Sequence, residues 1–423
     1  MSDTPTDVEL LVTGIGQLVP LAPPAGTPAG APWRGPLSEL EAISGAALAV
    51  SGGRIVDLGP ADEVRARVRP ATTVDAGGAL VLPGFVDPHT HLPWLGSRED
   101  EFEKRLAGVS YAEIAQAGGG IRATTRAVRG ASVDELVAAA RPRLDRMLSL
   151  GTTTVEAKSG YGLELEAERR QLQAIARLDA EHPLDLIPTN LAAHEIPDEY
   201  RQDRGRWLDL LCEELLPELK PLAEFADVFC EDHVFGVDES RRLMSRAKEL
   251  GYGVKLHADE LVGTGGAELA VELGATSADH LACTEQPGIE ALAASDTVAV
   301  LLPGTTFYLR KQQVAPARAM LEAGVAVALA TDANPGSCLT ESVPMILTLA
   351  CVQLGMTPAE ALRAATLNAA CAVGRGGEVG SLEVGKRADF VLWRAPSWRY
   401  LPTHFGVSLV EAVFKGGQEV YRA

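Results

Sequence analysis

Asp87-Pro88-His89-Thr90-His91 follows the apolar run Ala79-Leu80-Val81-Leu82-Pro83-Gly84-Phe85-Val86, and together they read as a buried strand that ends in two histidines. Residues two apart on an extended segment point to the same side, so both imidazoles face one point. Imidazole nitrogen is a good ligand for divalent zinc or iron. Later in the chain His257, His280 and Asp332 each stand at the end of a β-type run of their own.

Outward from this stretch the pattern is one of strands alternating with amphipathic helices. Candidate strands lie near 84–91, 152–158, 184–193, 225–232, 252–258, 276–281, 297–303 and 325–332. Helical periodicity separates them, as in Ser132–Leu150, Glu166–Glu181, Asp238–Leu250 and Gly265–Leu273. Eight such units over about 250 residues match a (β/α)8 TIM barrel, whose active site lies at the C-terminal ends of its strands. An open doubly wound sheet is the alternative. It fits less well, because the candidate ligands follow the first, fifth, sixth and eighth strands, which only a closed ring brings together.

Residues 8–19 and 46–58 read as short strands, the second pair meeting at Ser51-Gly52-Gly53. Pro20 to Pro36 is rich in Pro, Gly and Ala and reads as a mobile surface loop. From Gly377 onward strands return, in Ala388–Trp393 and Glu411–Phe414. These are expected to join the N-terminal strands in a small discontinuous β-sandwich domain. The division expected is 1–80 and 377–423 for that β domain, with the barrel inserted as 81–376.

A chain of 423 residues with 46% apolar residues and 42 glycines suits a packed α/β protein. A net charge of -19 argues against nucleic acid as a partner, since that needs basic surface. It says little about a small-molecule substrate, because charge local to a pocket can oppose the global sign. No apolar run approaches the ~18 residues of a membrane span, and Met1-Ser2-Asp3-Thr4-Pro5 lacks the features of a secretory signal, so a cytoplasmic protein is expected. The six cysteines show no CxxC spacing, which fits reduced thiols.

Only eight histidines occur, and five of them (His89, His91, His194, His257 and His280) fall at expected strand ends on one face. His89, His91, His257 and Asp332 are the candidate metal ligands: three imidazoles and a carboxylate suit one divalent ion, Zn2+ or iron, with an open position for water. Such an ion lowers the pKa of bound water to about 7. Glu260, three residues after His257, together with His280 and Asp332, is placed for proton transfer and oxyanion stabilisation.

These segments resemble the amidohydrolase superfamily, in Pro83–His91, His257-Ala258-Asp259-Glu260, Ala278-Asp279-His280-Leu281 and Thr331-Asp332. Gly96–Phe102, Ala107–Tyr111, Lys158–Leu163, Ala193–Pro197 and Asn334–Ser337 are similar, more narrowly, to the imidazolonepropionase family, and the likeness runs from about Leu10 to the C-terminus. The resemblance implies a hydrolase of carbon–nitrogen bonds in cyclic amides, opening 4-imidazolone-5-propanoate to N-formimidoyl-L-glutamate in histidine degradation. It implies one metal ion per subunit and a homodimer. It also implies substrate contacts from Arg98, Tyr161, His194, Glu260, Asn334, Gly336 and Ser337, while Tyr111 either closes over the pocket or packs at a helix start. Arg98 suits the substrate's carboxylate, because a guanidinium offers two parallel hydrogen bonds, the alternative being a surface pair with Glu99 or Glu101. Asn334-Pro335-Gly336 serves equally well as a turn.

Some members of the superfamily bridge two metals with a carbamylated lysine. Lys158 follows the second strand rather than the fourth and is read as structural. Glu231 and His233 look ligand-like, but the resemblance points to a mononuclear site. Two rivals to the assigned activity stand: a deaminase of a small heterocycle, which would not need Arg98, and a non-catalytic scaffold, which would not hold a metal.

Overall fold

The structure is a computed structural model that describes residues 5–109, 113 and 118–423. Its first strands are β1 (Thr6–Leu18), β2 (Ile43–Ser51), β3 (Arg54–Pro60), β4 (Val68–Asp75) and β5 (Leu80–Pro83). Then come β6 (Phe85–Asp87), β7 (Thr152–Lys158), β8 (Asp185–Ala193), β9 (Phe225–Cys230), β10 (Gly253–Ala258), β11 (Ser277–His280), β12 (Val298–Leu301) and β13 (Val327–Leu329). The last are β14 (Phe390–Trp393), β15 (Val410–Lys415) and β16 (Gln418–Arg422).

Strands β6 to β13 pair in chain order, all parallel, and form the barrel. Its seam closes at the upper rim, where Thr90 bridges Ala333. There the Asp332 N–H donates to the His89 carbonyl (3.1 Å) and the His91 N–H to the Ala333 carbonyl (3.0 Å). Helices cover the outside for reasons visible in the sequence. In the helix Val133–Ser149, Ser132 and Glu135 cap each other's backbone, and Leu136, Val137, Ala140, Leu144, Met147 and Leu148 form the buried stripe.

The remaining strands build a second sheet from both chain ends, ordered β16-β15-β14-β5-β1-β2-β3, with β4 parallel beside β1. Strand β1 bends where its ladder with β2 is interrupted between Val12 and Ile15. Gly14 at φ +65° makes the bend possible, since a Cβ there would lie 2.0 Å from Asp75 Oδ1. The first half of β1 pairs with β4 and its end with β5, so the sheet wraps a core containing Val12, Ile15, Leu48, Phe390 and Phe414.

The structure departs from expectation in four places. β6 ends at Asp87, before both histidines, because the seam bonds of His91 and Asp332 replace regular pairing. The helix Ala61–Arg67 and strand β4 were not among the expected elements, β4 being mostly exposed along its length. β16, exposed or half-buried throughout, lies past the last strand expected in the tail. The stretch from Pro20 to Pro36 has neither helix nor strand, yet it is held on the barrel. Trp33 exchanges backbone bonds with the Asn368 amide (2.8 and 2.9 Å), and Arg363 donates to the Gly35 carbonyl (2.7 Å). No described helix is long and apolar enough to cross a membrane.

Candidate active site

His89, His91, His257 and Asp332 converge at the upper rim of the barrel, all buried. His89 Nε2 and His91 Nε2 are 3.3 Å apart, and His91 Nε2 and His257 Nε2 are 3.4 Å apart. Asp332 Oδ1 stands 3.3 Å from His91 Nε2 and 3.6 Å from His89 Nε2. Donors about 2.0–2.1 Å from a tetrahedral ion lie about 3.3–3.4 Å from one another, which the His89–His91, His91–His257 and His91–Asp332 separations match, the His89–Asp332 separation being longer. Asp332 Oδ1 has no hydrogen-bond partner among the described residues, although it is buried. An orphaned carboxylate oxygen among three imidazole nitrogens fits a cation. His280 also comes within reach of His89 and His257.

Beneath these donors lies a layer of buried charge that fixes their orientation. Side chains two apart on one strand point the same way. Glu156 and Lys158 of β7, Lys255 and His257 of β10, and Ser277 and Asp279 of β11 therefore face one interior. Asp279 Oδ2 lies 2.6 Å from His89 Nδ1, and Asp227 Oδ2 3.0 Å from His257 Nδ1. Asp279 thus takes His89 Nδ1, and Asp227 stands beside His257 Nδ1, so that both rings turn Nε2 to the rim. Lys158 Nζ sits 2.8 Å from Asp227 and 2.9 Å from Glu156, while Lys255 Nζ reaches Glu156 at 2.7 Å and the Pro88 carbonyl at 2.8 Å. Burial works against the Lys158 charge, but Asp227 and Glu156 outweigh it and raise its pKa. Lys158 is thus an ion-paired part of the floor.

Burial, reinforced by the Lys158 charge, drives the His89 pKa far down, so the ring is neutral and its electron pair is free for an ion. Burial alone would raise Asp332, but the adjacent His91 ring and then His280 hold it below the usual carboxylate range. Its backbone is left-handed at φ +54°, and so is that of His280 at φ +77°. Strain of this kind at non-glycine residues gathers at working sites.

Above the rim opens a cavity of about 440 Å³. Arg98, Tyr161, His194, Glu260, His280, Asn334, Gly336 and Ser337 all line it, as do His91, His257 and Asp332. Glu260 Oε2 lies 3.6 Å from His280 Nε2, and its Oε1 3.2 Å from Lys311 Nζ. Burial pushes His280 down to about 4 and so keeps it neutral. Burial would raise Glu260, but His280 and then Lys311 outweigh it and keep it ionised. The His194 ring stacks on His91 with centroids 5.0 Å apart, and its Nδ1 meets the Gly160 carbonyl at 2.9 Å. Tyr161 lies 5.4 Å from His194, centroid to centroid.

Arg98 is pinned along its Nε/Nη2 edge by Glu101, at 2.9 Å from each nitrogen, so its Nη1/Nη2 end is the part presented to a ligand. That end rests on Gly336, where a Cβ would lie 2.3 Å from Nη1. Asn334 works as a turn residue: its Oδ1 accepts from the N–H groups of Gly336 and Ser337, both at 2.8 Å, and its amide donates to Ser337 Oγ at 2.8 Å. Tyr111 lies outside the described residues. His233 lines the cavity, whereas Glu231 turns away to hold the Leu261 N–H at 2.7 Å.

Arg105, Lys311, Glu195 and Phe229 line the cavity without having stood out in the sequence. Asp227 and Asp279 did carry a signal, being charged residues inside apolar strands, where an unpaired charge would be costly.

The Amidohydrolase family matches residues 80–420, and an "Imidazolonepropionase-like composite domain, bacteria" matches residues 46–67. The imidazolonepropionase of Symbiobacterium thermophilum is 52% identical over 97% of both chains. That of Bacillus cereus (strain B4264) is 49% identical over 98% of this chain and 97% of its own. Among solved structures, a 5-methylcytosine deaminase from Klebsiella pneumoniae superposes with a TM-score of 0.73 at 17% identity, covering 96% of this chain and 97% of its own. A zinc-bound adenosine deaminase from Xanthomonas campestris gives 0.69 at 22% identity, covering 98% and 93%, and like the first it speaks for the fold alone. With a barrel, a rim of histidine and aspartate donors and this identity along almost its whole length, the chain belongs to the amidohydrolase family, among its imidazolonepropionases.

Proposed function

We propose that this protein hydrolyses the cyclic amide of 4-imidazolone-5-propanoate to N-formimidoyl-L-glutamate. The observation that carries the reading is a single cavity lined at one point by His91, His257 and Asp332 and at another by the free end of the Arg98 guanidinium. An anionic five-membered ring suits both features, whereas an uncharged base offered to a deaminase would bring no carboxylate to the Nη1/Nη2 end of Arg98.

In this reading His89, His91, His257 and Asp332 hold one divalent ion, zinc or iron. When bound, that ion polarises the ring carbonyl and acidifies water to a pKa of about 7. Arg98 grips the propionate through its Nη1/Nη2 end and so turns the ring carbonyl toward the rim. Tyr161 and His194 form a wall beside the ring, and the Asn334–Ser337 turn brings Gly336 backbone and the Ser337 hydroxyl close to it. Glu260 accepts the proton of the attacking water at Oε2 and returns one to the ring nitrogen as the C–N bond breaks. Neutral His280 donates a hydrogen bond to the developing oxyanion, and Asp332 shares the proton relay. The barrel and the sheet of both chain ends act as one subunit of a homodimer in the cytoplasm.

The test is loss of the ring's ultraviolet absorbance on incubation with the substrate, alongside elemental analysis and sedimentation of the purified protein. About one zinc or iron per chain and steady ring opening are expected. Ammonia release from purines or pyrimidines without ring opening would overturn the assignment.

A further inference from the structure

We propose that the short helix Pro303–Tyr308, with the turn that ends it, clamps both working carboxylates, and that Thr305 and Lys311 are its positioning residues. The inference rests on the roles proposed above for Glu260 and Asp332.

The helix follows β12 and reaches the site twice. At its start the Thr305 hydroxyl donates to Asp332 Oδ2. That engages one oxygen and leaves Oδ1 as the atom 3.3 Å from His91 Nε2 and 3.6 Å from His89 Nε2. Thr305 therefore determines which edge of Asp332 faces the donor cluster. The helix seats closely: a Cβ at Gly304 would lie 2.6 Å from Cys338 Sγ and 3.1 Å from the Ile346 side chain.

At its other end the chain turns back on itself. Leu309 N–H donates to the Thr305 carbonyl (3.0 Å), Arg310 N–H to Phe307 (3.0 Å) and Lys311 N–H to Thr306 (2.9 Å). Arg310 takes a left-handed φ of +55° to close this turn. Lys311 is thereby returned to the cavity, with Nζ 3.2 Å from Glu260 Oε1 and 3.4 Å from the Glu260 carbonyl. Glu260 Oε2 is left facing His280 Nε2 at 3.6 Å.

The Glu260 backbone is already fixed from other directions. Asp259 accepts from the N–H groups of Thr264 and Gly266, both at 3.0 Å, and Glu231 holds the Leu261 N–H at 2.7 Å. What stays free is the Glu260 side-chain torsion, and Lys311 is the cation that selects it. The helix and the turn that ends it thus assign an oxygen of each carboxylate to holding and the other to chemistry.

The experiment has two arms on the metal-loaded enzyme. For Lys311→Met, kcat is expected to fall about 10- to 100-fold while KM stays within about threefold and metal content is unchanged, since misplacing a reacting group by about 1 Å costs on that order. Lys311→Arg should restore most of the rate. For Thr305→Val, which removes the hydroxyl and keeps the shape, loss of the ion to a competing chelator should rise about 10-fold or more. Thr305→Ser should reverse it, and Thr305→Ala serves as a second hydroxyl-free variant should the valine not fold. A raised KM with unchanged kcat in Lys311→Met would make Lys311 a substrate contact and sink the clamp. So would wild-type kcat in that variant, or wild-type metal retention in the Thr305 variants. If the unsubstituted enzyme does not open the ring, the functional reading fails instead, and that control is run first.

Discussion

Arg98 and Gly336 meet at the cavity wall so closely that each constrains the other. Replacing Arg98 by Ala removes the carboxylate grip, and a charge-assisted pair is worth about 1.5–3 kcal/mol. The expected result is a KM raised roughly 10- to 100-fold with the ion retained, measured by steady-state ring opening. Gly336→Ala tests the same contact without touching the charge. Its Cβ would overlap the guanidinium at 2.3 Å, so the arginine must swing aside and KM should rise as well. Retained affinity in both variants would contradict the grip. At this scale the sequence was readable where a residue type is chemically unusual for its place. Histidines at strand ends stood out and the family resemblance singled out Arg98, whereas nothing in the sequence marked Lys311 or Arg105. Their partners, Glu260 and the Gly336 carbonyl, are remote in the chain and come near only after folding.

Strand β7 shows what an element does beyond pairing. Its buried Glu156 and Lys158 belong to a layer of three acids and two lysines that supports the histidines from below. Lys158→Met would leave Asp227 and Glu156 short of a cation, and breaking a buried pair costs about 3–5 kcal/mol. A correspondingly lower urea midpoint is expected, together with weaker metal retention, since Asp227 orients His257. An unchanged midpoint would show that Lys255 alone suffices. The eight barrel strands and four of the covering helices were legible because their apolar periods are strong. β4 and the helix Ala61–Arg67 were not, for an exposed edge strand carries little pattern. The Pro20–Pro36 segment misled for a related reason. Its composition says only that it cannot be helix or strand, and its fastening to Asn368 and Arg363 depends on residues more than three hundred positions away.

Across the whole molecule, buried imidazoles tie stability to pH. His89, His91, His194 and His280 all have lowered pKa values, chiefly through burial, with His280 at about 4. An unfolded histidine titrates near about 6.5. Because the folded values lie below this, their contribution is complete above pH 6.5 and is lost as pH falls through the folded values, about 4 for His280. His257, raised by Asp227 against its burial, acts in the opposite sense. Thermal melts of the chelated protein between pH 8 and 4.5 should show the midpoint dropping over that window, and His194→Asn should flatten the slope. A midpoint independent of pH would contradict burial of neutral rings.

The two sheets are joined by charge as well as by packing. Lys415 of β15 reaches Asp185 of β8 at 2.6 Å, and Trp393 of β14 packs on Phe85 of β6 with ring centroids 5.3 Å apart. The barrel seam has a further consequence. Its first and last staves are stitched by backbone bonds from the same residues that offer donors, so a captured ion would act as the latch of a hoop. Stripping it with a chelator should loosen the hoop there first, with deuterium entering the amides of His91 and Asp332 while those of Val254 and Leu256, across the ring, stay protected.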